Sequence, residues 1–337
     1  MDTNDTTSHP TLSPAENALA LSHTYTLFSQ LYLHGLTPES RDWVQGIAEL
    51  SEVLASHPET DREAAAIHQA LLGLNIFPYE SVFLDDTGMF GGQLTDQVVY
   101  AYSQLGYRPD PASTSPDQLG EELGLLAFLC GAEADALEDN LPAIAQRLRH
   151  AQLDFMRNHL LRWLFPCLQA IGTQDQPFYT ALAELTADFV HAHYGTLTAA
   201  TNLSAVPYKL PEPPPLLDDD QTELKDIADY LMMPAYAGLF LSRNAIGQIG
   251  RSQRLPRGFG NRAQMLVNMM RSAIQYEGLP DLVDQLSQLC QRWDDAYQNY
   301  QETMPEFVPF IHPWRERIQQ TIQILTQIQS LTLDHEI

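Results

Sequence analysis

Lysine is nearly missing from this chain. Among 337 residues there are two, Lys209 and Lys225. Lys and Arg together number 18 against 43 acidic residues, a formal net charge of −25. Such a surface repels phosphate backbones and anionic headgroups, so nucleic acid and membrane are poor partners. A cationic partner suits it. The scarcity of lysine leaves Arg as the main cation, the better one for pairing planar carboxylates and for stacking. Cysteine is also scarce. Cys130, Cys167 and Cys290 are odd in number, far apart and without a C-x-x-C spacing. Neither a disulfide framework nor a thiolate metal site is indicated, and buried thiols are expected. No apolar run approaches the roughly 20 residues of a membrane span. The opening MDTNDTTSHP lacks the basic and apolar regions of a secretory signal. These features predict a cytoplasmic protein.

Catalytic signatures are missing too. There is no G-x-S-x-G, P-loop, G-x-G-x-x-G, H-E-x-x-H or EF-hand loop. His191 and His193 stand two apart, so on a helix they point apart and cannot share a metal; two surface histidines are expected. A D-D-x-x-D pattern would bind magnesium. It fails at Asp85-Asp86 and Asp294-Asp295 but passes on spacing at Asp219, Asp220 and Glu223. A magnesium-dependent all-α enzyme centred there is one alternative. A stable adaptor subunit of a redox complex is another. Otherwise no catalytic residue, metal or cofactor is expected.

What is present is helix periodicity. Apolar spacing predicts helices over 14–33, 39–56, 60–73 and 95–106, with 74–95 as the longest non-helical stretch of the first half. Ser115, Pro116 and Gln118 read as N-cap, first position and N3 of a capping box. Further helices are expected over 138–171, with a break near Phe165-Pro166, and over 177–194. The run PYKLPEPPPLL reads as an extended spacer. Helical patterns return at 220–250, 260–277, 279–300 and 308–333. The expected organisation is all-α: a disordered arm 1–14, a helical domain 15–195, a proline-rich linker 196–217, and a helical extension 218–337 that docks on the domain or stands beside it. Arg243, Arg251, Arg254, Arg257, Arg262 and Arg271 cluster within 29 residues of the extension. Pairing with the acidic domain is the first reading, and an anion or partner contact the second.

One segment is more specific. Residues 77–107 contain Pro78-Tyr79-Glu80-Ser81-Val82-Phe83, then Gly91-Gly92, then Tyr102 through Gly106-Tyr107. Pro116-Asp117-Gln118-Leu119 follows, with Glu121-Glu122-Leu123. Next come Phe155, His159, Leu160 and Trp163, and then Phe178-Tyr179 with Leu182-Ala183. With Tyr25, Phe28 and Leu31, this order resembles the TorD/DmsD/NarJ group of redox-enzyme maturation chaperones over about residues 15–195. Gln118 stands where that group has histidine. The resemblance implies an all-α chaperone, in some cases a dimer. It implies binding of the apo-form or twin-arginine signal peptide of a molybdopterin enzyme, without catalysis.

A receptor for such a peptide needs apolar contact and carboxylates. Tyr79, Phe83, Tyr100 and Tyr102, with Leu119 and Leu123, are the candidate groove. Glu80, Asp117, Glu121 and Glu122 are the candidate counter-charges, with Ser81 and Gln118 beside them. Core packing is the competing role for the apolar residues, and a helix-dipole role for Asp117. Replacing Asp117, Glu121 and Glu122 together by alanine is expected to weaken peptide binding and leave the fold intact.

Overall fold

The computed structural model describes residues 12–88, 90–111, 113, 115–199, 208–217, 222–255 and 260–334. All elements among them are helices: α1 Pro14–His34, α2 Pro38–Val44, α3 Ala48–Ser56, α4 Asp61–His68, α5 Glu80–Leu84, α6 Gln93–Leu105, α7 Leu119–Glu138, α8 Pro142–Phe155, α9 Leu161–Gly172, α10 Pro177–Thr198, α11 Leu224–Met232, α12 Pro234–Ala237, α13 Arg243–Ser252, α14 Arg262–Gln275, α15 Leu279–Thr303 and α16 Val308–Asp334. Among the described residues the only β pairing is an isolated bridge between Tyr79 and Gln118. Most of the expected arm falls outside the described residues.

Helix α1 begins on a full capping box, Ser13 with Glu16, and Pro14 sits at its first turn. It packs against α7 through small residues. A Cβ at Gly120 or Gly124 would collide with Leu33 or Tyr107, and the Ser22 hydroxyl donates to the Ala127 carbonyl at 2.8 Å. As the α1 residues at this seam rise from 22 to 33, those of α7 fall from 131 to 120, so the pair is antiparallel. Around it α8, α9 and α10 bury Phe155, Trp163, Leu164, Phe165 and Tyr179.

Several boundaries differ from expectation. The helix expected over 39–56 is two, because the chain turns at Gln45-Gly46-Ile47 between α2 and α3. The stretch 74–95 is not wholly irregular, since it holds the short α5. In the long segment 138–171, Pro166 lies inside continuous helix, and the irregularity is a π turn at Met156–Leu160. Helix α7 starts at Leu119 with Gln118 as its N-cap, not at Pro116 with Ser115 as cap. The Ser115 hydroxyl is taken instead by Asp117. His193 is not on the surface. It is 1% exposed, with Nδ1 2.9 Å from the Tyr25 hydroxyl and Nε2 3.1 Å from Gln152 Oε1. Burial drops its pKa to about 3.

The C-terminal helices share one apolar cluster with the first ten. Phe240 stacks on Phe83 at 5.4 Å, and Tyr300 and Phe307 both pack on Phe165 at 5.1 Å. The proline-rich strap 208–217 is tied down over its first residues. The Tyr208 hydroxyl donates to the Arg162 carbonyl at 2.7 Å, and Arg317 donates to the Pro211 carbonyl at 2.8 Å. The arginine cluster does not pair with the acidic domain among the described residues. Among the described residues, Arg243, Arg251, Arg254, Arg262 and Arg271 form no ion pair, and Arg257 lies outside them. Arg262 lies 4.3 Å above the Phe240 ring and donates to the Leu241 carbonyl. Burial lowers its pKa to about 10.

Candidate functional site

The motif residues meet where α5 and α7 begin. Tyr79 carries no side-chain cap for α5, so its free N–H groups are satisfied from another segment. The Asp117 carboxylate accepts from the Ser81 amide at 3.0 Å and the Ser81 hydroxyl at 2.5 Å, and the Asp117 carbonyl accepts from the Glu80 amide at 2.9 Å. In return the Leu119 amide donates to the Pro78 carbonyl at 2.9 Å. Asp117 therefore caps α5, and it precedes rather than occupies the first turn of its own helix. The Tyr102 hydroxyl donates to the Pro116 carbonyl at 2.9 Å, which fixes α6 to the same turn. Gln118 accepts from the Gly120 amide and donates to the Tyr32 carbonyl, so it holds α7 against α1.

The glutamates point inward. Glu121 accepts from the Tyr107 hydroxyl and the Asp110 amide, both at 3.0 Å. Burial pushes its carboxyl above the usual range. Glu80 Oε2 lies 3.0 Å from His159 Nδ1. Glu122 accepts from the Trp163 indole at 3.3 Å, while its Oε1 finds no hydrogen-bond partner among the described residues. Burial first, then the neighbouring Glu80 and Asp117 carboxylates, holds Glu122 well above its ordinary value. Its side chain is sealed in the core.

Of the ten residues singled out in the sequence, the structure gathers Tyr79, Glu80, Ser81, Phe83, Tyr102, Asp117, Gln118, Glu121 and Glu122 around one junction, each less than 9% exposed. Tyr100 stands apart on the outer side of α6 at 66% exposure. Leu119 and Leu123 are core. The four carboxylates are thus structural in this conformation and reach no solvent. Truncation of Asp117, Glu121 and Glu122 is for that reason expected to disturb the fold as well as any binding.

Sequence reasoning missed the surface above this junction. Phe90 is 58% exposed and packs on Tyr79 at 5.7 Å. From there the loop carries Asp85, Asp86 and Gly88 toward the C-terminal helices. Gly88 sits so close to them that a Cβ would stand 2.6 Å from Met233 Sδ. Beside Met233 opens a groove of about 260 Å³ lined by Pro214, Leu216, Tyr230, Tyr236, Asp226 and Asp229. Burial, then Asp86 and Asp85, raises the Tyr236 phenol. The sequence signal for this groove was its acid-and-aromatic composition, but nothing local shows that residues 85–88 and 226–236 are neighbours.

Among the described residues, no three His, Cys, Asp or Glu side chains are placed to hold a metal ion. Asp219 and Asp220 lie outside the described residues, and Glu223 is engaged with Asp226 in the cap of α11. No helix among the described residues is long and apolar enough to cross a membrane.

Residues 38–169 match the family model described as nitrate reductase delta subunit. The match runs from α2 into α9 and contains the Tyr79–Phe83, Asp117–Glu122 and Phe155–Trp163 motifs. This part of the chain is similar to the NarJ/TorD family of redox-enzyme maturation chaperones. No curated protein matches the sequence.

Proposed function

We propose that the protein binds the apo-form of a molybdopterin-dependent oxidoreductase, its twin-arginine signal peptide, or both, and assists cofactor insertion before export or assembly. The observation that carries this reading is the family match over 38–169 with the motif junction at its centre. Glu80, Ser81, Phe83, Tyr102, Asp117, Gln118, Glu121 and Glu122 serve as the frame. The client meets the surface that frame supports. Phe90 and Tyr100, both exposed, take the apolar stretch, since aromatic faces offer large contact area at low entropic cost. The cationic head goes to the groove of Tyr236, Asp226 and Asp229, flanked by Asp85 and Asp86, where guanidinium can stack on a ring and pair with carboxylate.

Calorimetry with a synthetic twin-arginine peptide and with its di-alanine version tests both levels. The double variant Asp226→Asn/Asp229→Asn and the variant Tyr100→Ala are each expected to weaken the arginine peptide by about tenfold, roughly 1.4 kcal/mol. Wild-type affinity in both variants rejects this surface. No binding by the wild-type chain to the peptide or to an apo-molybdoenzyme rejects the function.

A further inference from the structure

Between Asp229 and Glu277 the chain holds no acidic residue and no lysine, but it holds six arginines and five of its nine methionines. Over the rest of the chain acidic residues outnumber Lys and Arg by 43 to 12. This stretch forms α12, α13 and α14. On α13, Arg243 and Arg251 are exposed two turns apart, and Arg254 follows on the terminal turn. On α14 the outward positions are Gln264, Asn268, Arg271 and Gln275, ending at Ile274, 47% exposed, and Tyr276, 65% exposed. Buried Arg262 belongs to the packing against Phe240 and takes no part. Among the described residues the four exposed arginines form no ion pair with a carboxylate, although the chain has 43 acidic residues.

We infer that the outer face of α13 and α14 is a docking surface for a carboxylate-rich segment of a partner protein. The exposed positions carry Arg243, Arg251, Arg254 and Arg271 with Ile274 and Tyr276 and no Lys, Glu or Asp, a composition that suits a protein–protein interface. Arg forks match carboxylates two bonds at a time. Ile274 and Tyr276 give an incoming side chain something apolar to cover. The rest of the chain carries a large negative excess, which repels extended polyphosphates such as duplex nucleic acid or an anionic bilayer more than a short protein segment. This surface differs from the acidic groove proposed for the client's cationic head, and its charge is opposite.

The test uses the full chain and a synthetic peptide of alternating glutamates and leucines, beside a version with glutamine for glutamate. The glutamate peptide is expected to bind with an affinity that falls as salt rises, and the glutamine peptide is not. Arg243→Gln, Arg251→Gln and Arg271→Gln combined should lower that affinity at least about tenfold, and Ile274→Ser/Tyr276→Ser should lower it independently of salt. All five positions are exposed, and circular dichroism confirms that the fold is kept. The twin-arginine peptide measured in parallel should bind the arginine variant normally, so failure of the groove and failure of this face read out separately. Equal binding of the glutamate peptide by wild type and arginine variant overturns the inference. So does tighter arginine-dependent binding to duplex DNA or to phosphatidylglycerol vesicles, or self-association that the arginine substitutions abolish.

Discussion

Two buried titratable residues set how this fold responds to pH, and they act in opposite directions. His193 is neutral in the fold, with Nε2–H toward Gln152 and Nδ1 facing the Tyr25 hydroxyl. Gln152 in turn donates to Glu133, which Arg149 pairs. With a folded pKa of about 3 against an ordinary value of 6.5, the unfolded chain takes up a proton that the folded chain refuses. Stability therefore falls as pH drops from 6.5 toward 3, by about 1.4 kcal/mol per unit at the steepest. Urea titrations over that range should show a shallower acid loss in His193→Gln; an unchanged slope would remove His193 from the account. Glu122 works the other way. Its folded pKa lies above the unfolded one, so the fold holds the extra proton. Its contribution is unpenalised below about pH 4.3 and is lost as pH rises from there to its raised value. Glu122→Gln keeps the acceptor for Trp163 and supplies donors beside Glu80. It is expected to raise stability at neutral pH by about 1 kcal/mol and to flatten that part of the profile. Lower stability at neutral pH in this variant would mean that the carboxyl is ionised in the fold.

At the scale of elements, Pro166 shows how distant parts of the chain rescue a local fault. Proline has no N–H, so the carbonyl of Arg162 one turn back loses its helical donor. Two side chains from the C-terminal segment replace it: the Tyr208 hydroxyl at 2.7 Å and the Trp314 indole at 2.8 Å. Either donor alone still satisfies the carbonyl. Tyr208→Phe and Trp314→Phe should each cost about 1 kcal/mol, while the double variant should cost more than their sum, because it leaves a buried carbonyl bare. Additive losses in a double-mutant cycle would show that the two donors are independent of this carbonyl. The same example marks the limit of what the sequence tells. Helices with their own signals were legible: Ser13 with Glu16 starts α1, Thr60 with Glu63 starts α4, and Gly106 in the left-handed region ends α6. The expected break at Pro166 failed because Tyr208 and Trp314, far along the chain, replace its missing donor, and the expected cap at Ser115 failed because Asp117, which caps α5, takes the Ser115 hydroxyl. The motif was legible as a set of residues but not as an inward-facing one. Glu80, Asp117 and Glu122 look like surface charges until α5 is seen to take its cap from Asp117 and Glu122 to lie under Trp163.

For the molecule as a whole, the family domain and the helices after it share one core, and this makes a claim about what can be cut. Removal of everything beyond Thr198 uncovers Phe83, which Phe240 stacks, Phe165, which Tyr300 and Phe307 cover, and Tyr194, which packs on Phe307 and Phe310. It also strips both donors from the Arg162 carbonyl. Each large apolar side chain returned to water forfeits about 1.5–3 kcal/mol. Three of them, plus the bare carbonyl, approach the whole stability of an ordinary domain, about 5–15 kcal/mol. A chain ending at residue 199 is therefore expected to aggregate, or to bind a hydrophobic dye without a cooperative unfolding transition. Point changes separate this from a trivial effect of shortening. Gly238, at φ 74, lies against the Ile318 backbone where α12 meets α16, and it has no room for a Cβ. Gly238→Ala should loosen the C-terminal helices in the full-length chain and reproduce part of the dye binding. If the shortened chain instead unfolds cooperatively as a soluble monomer, the C-terminal helices are an accessory laid over a finished domain, and the shared core is not what holds residues 38–169 together.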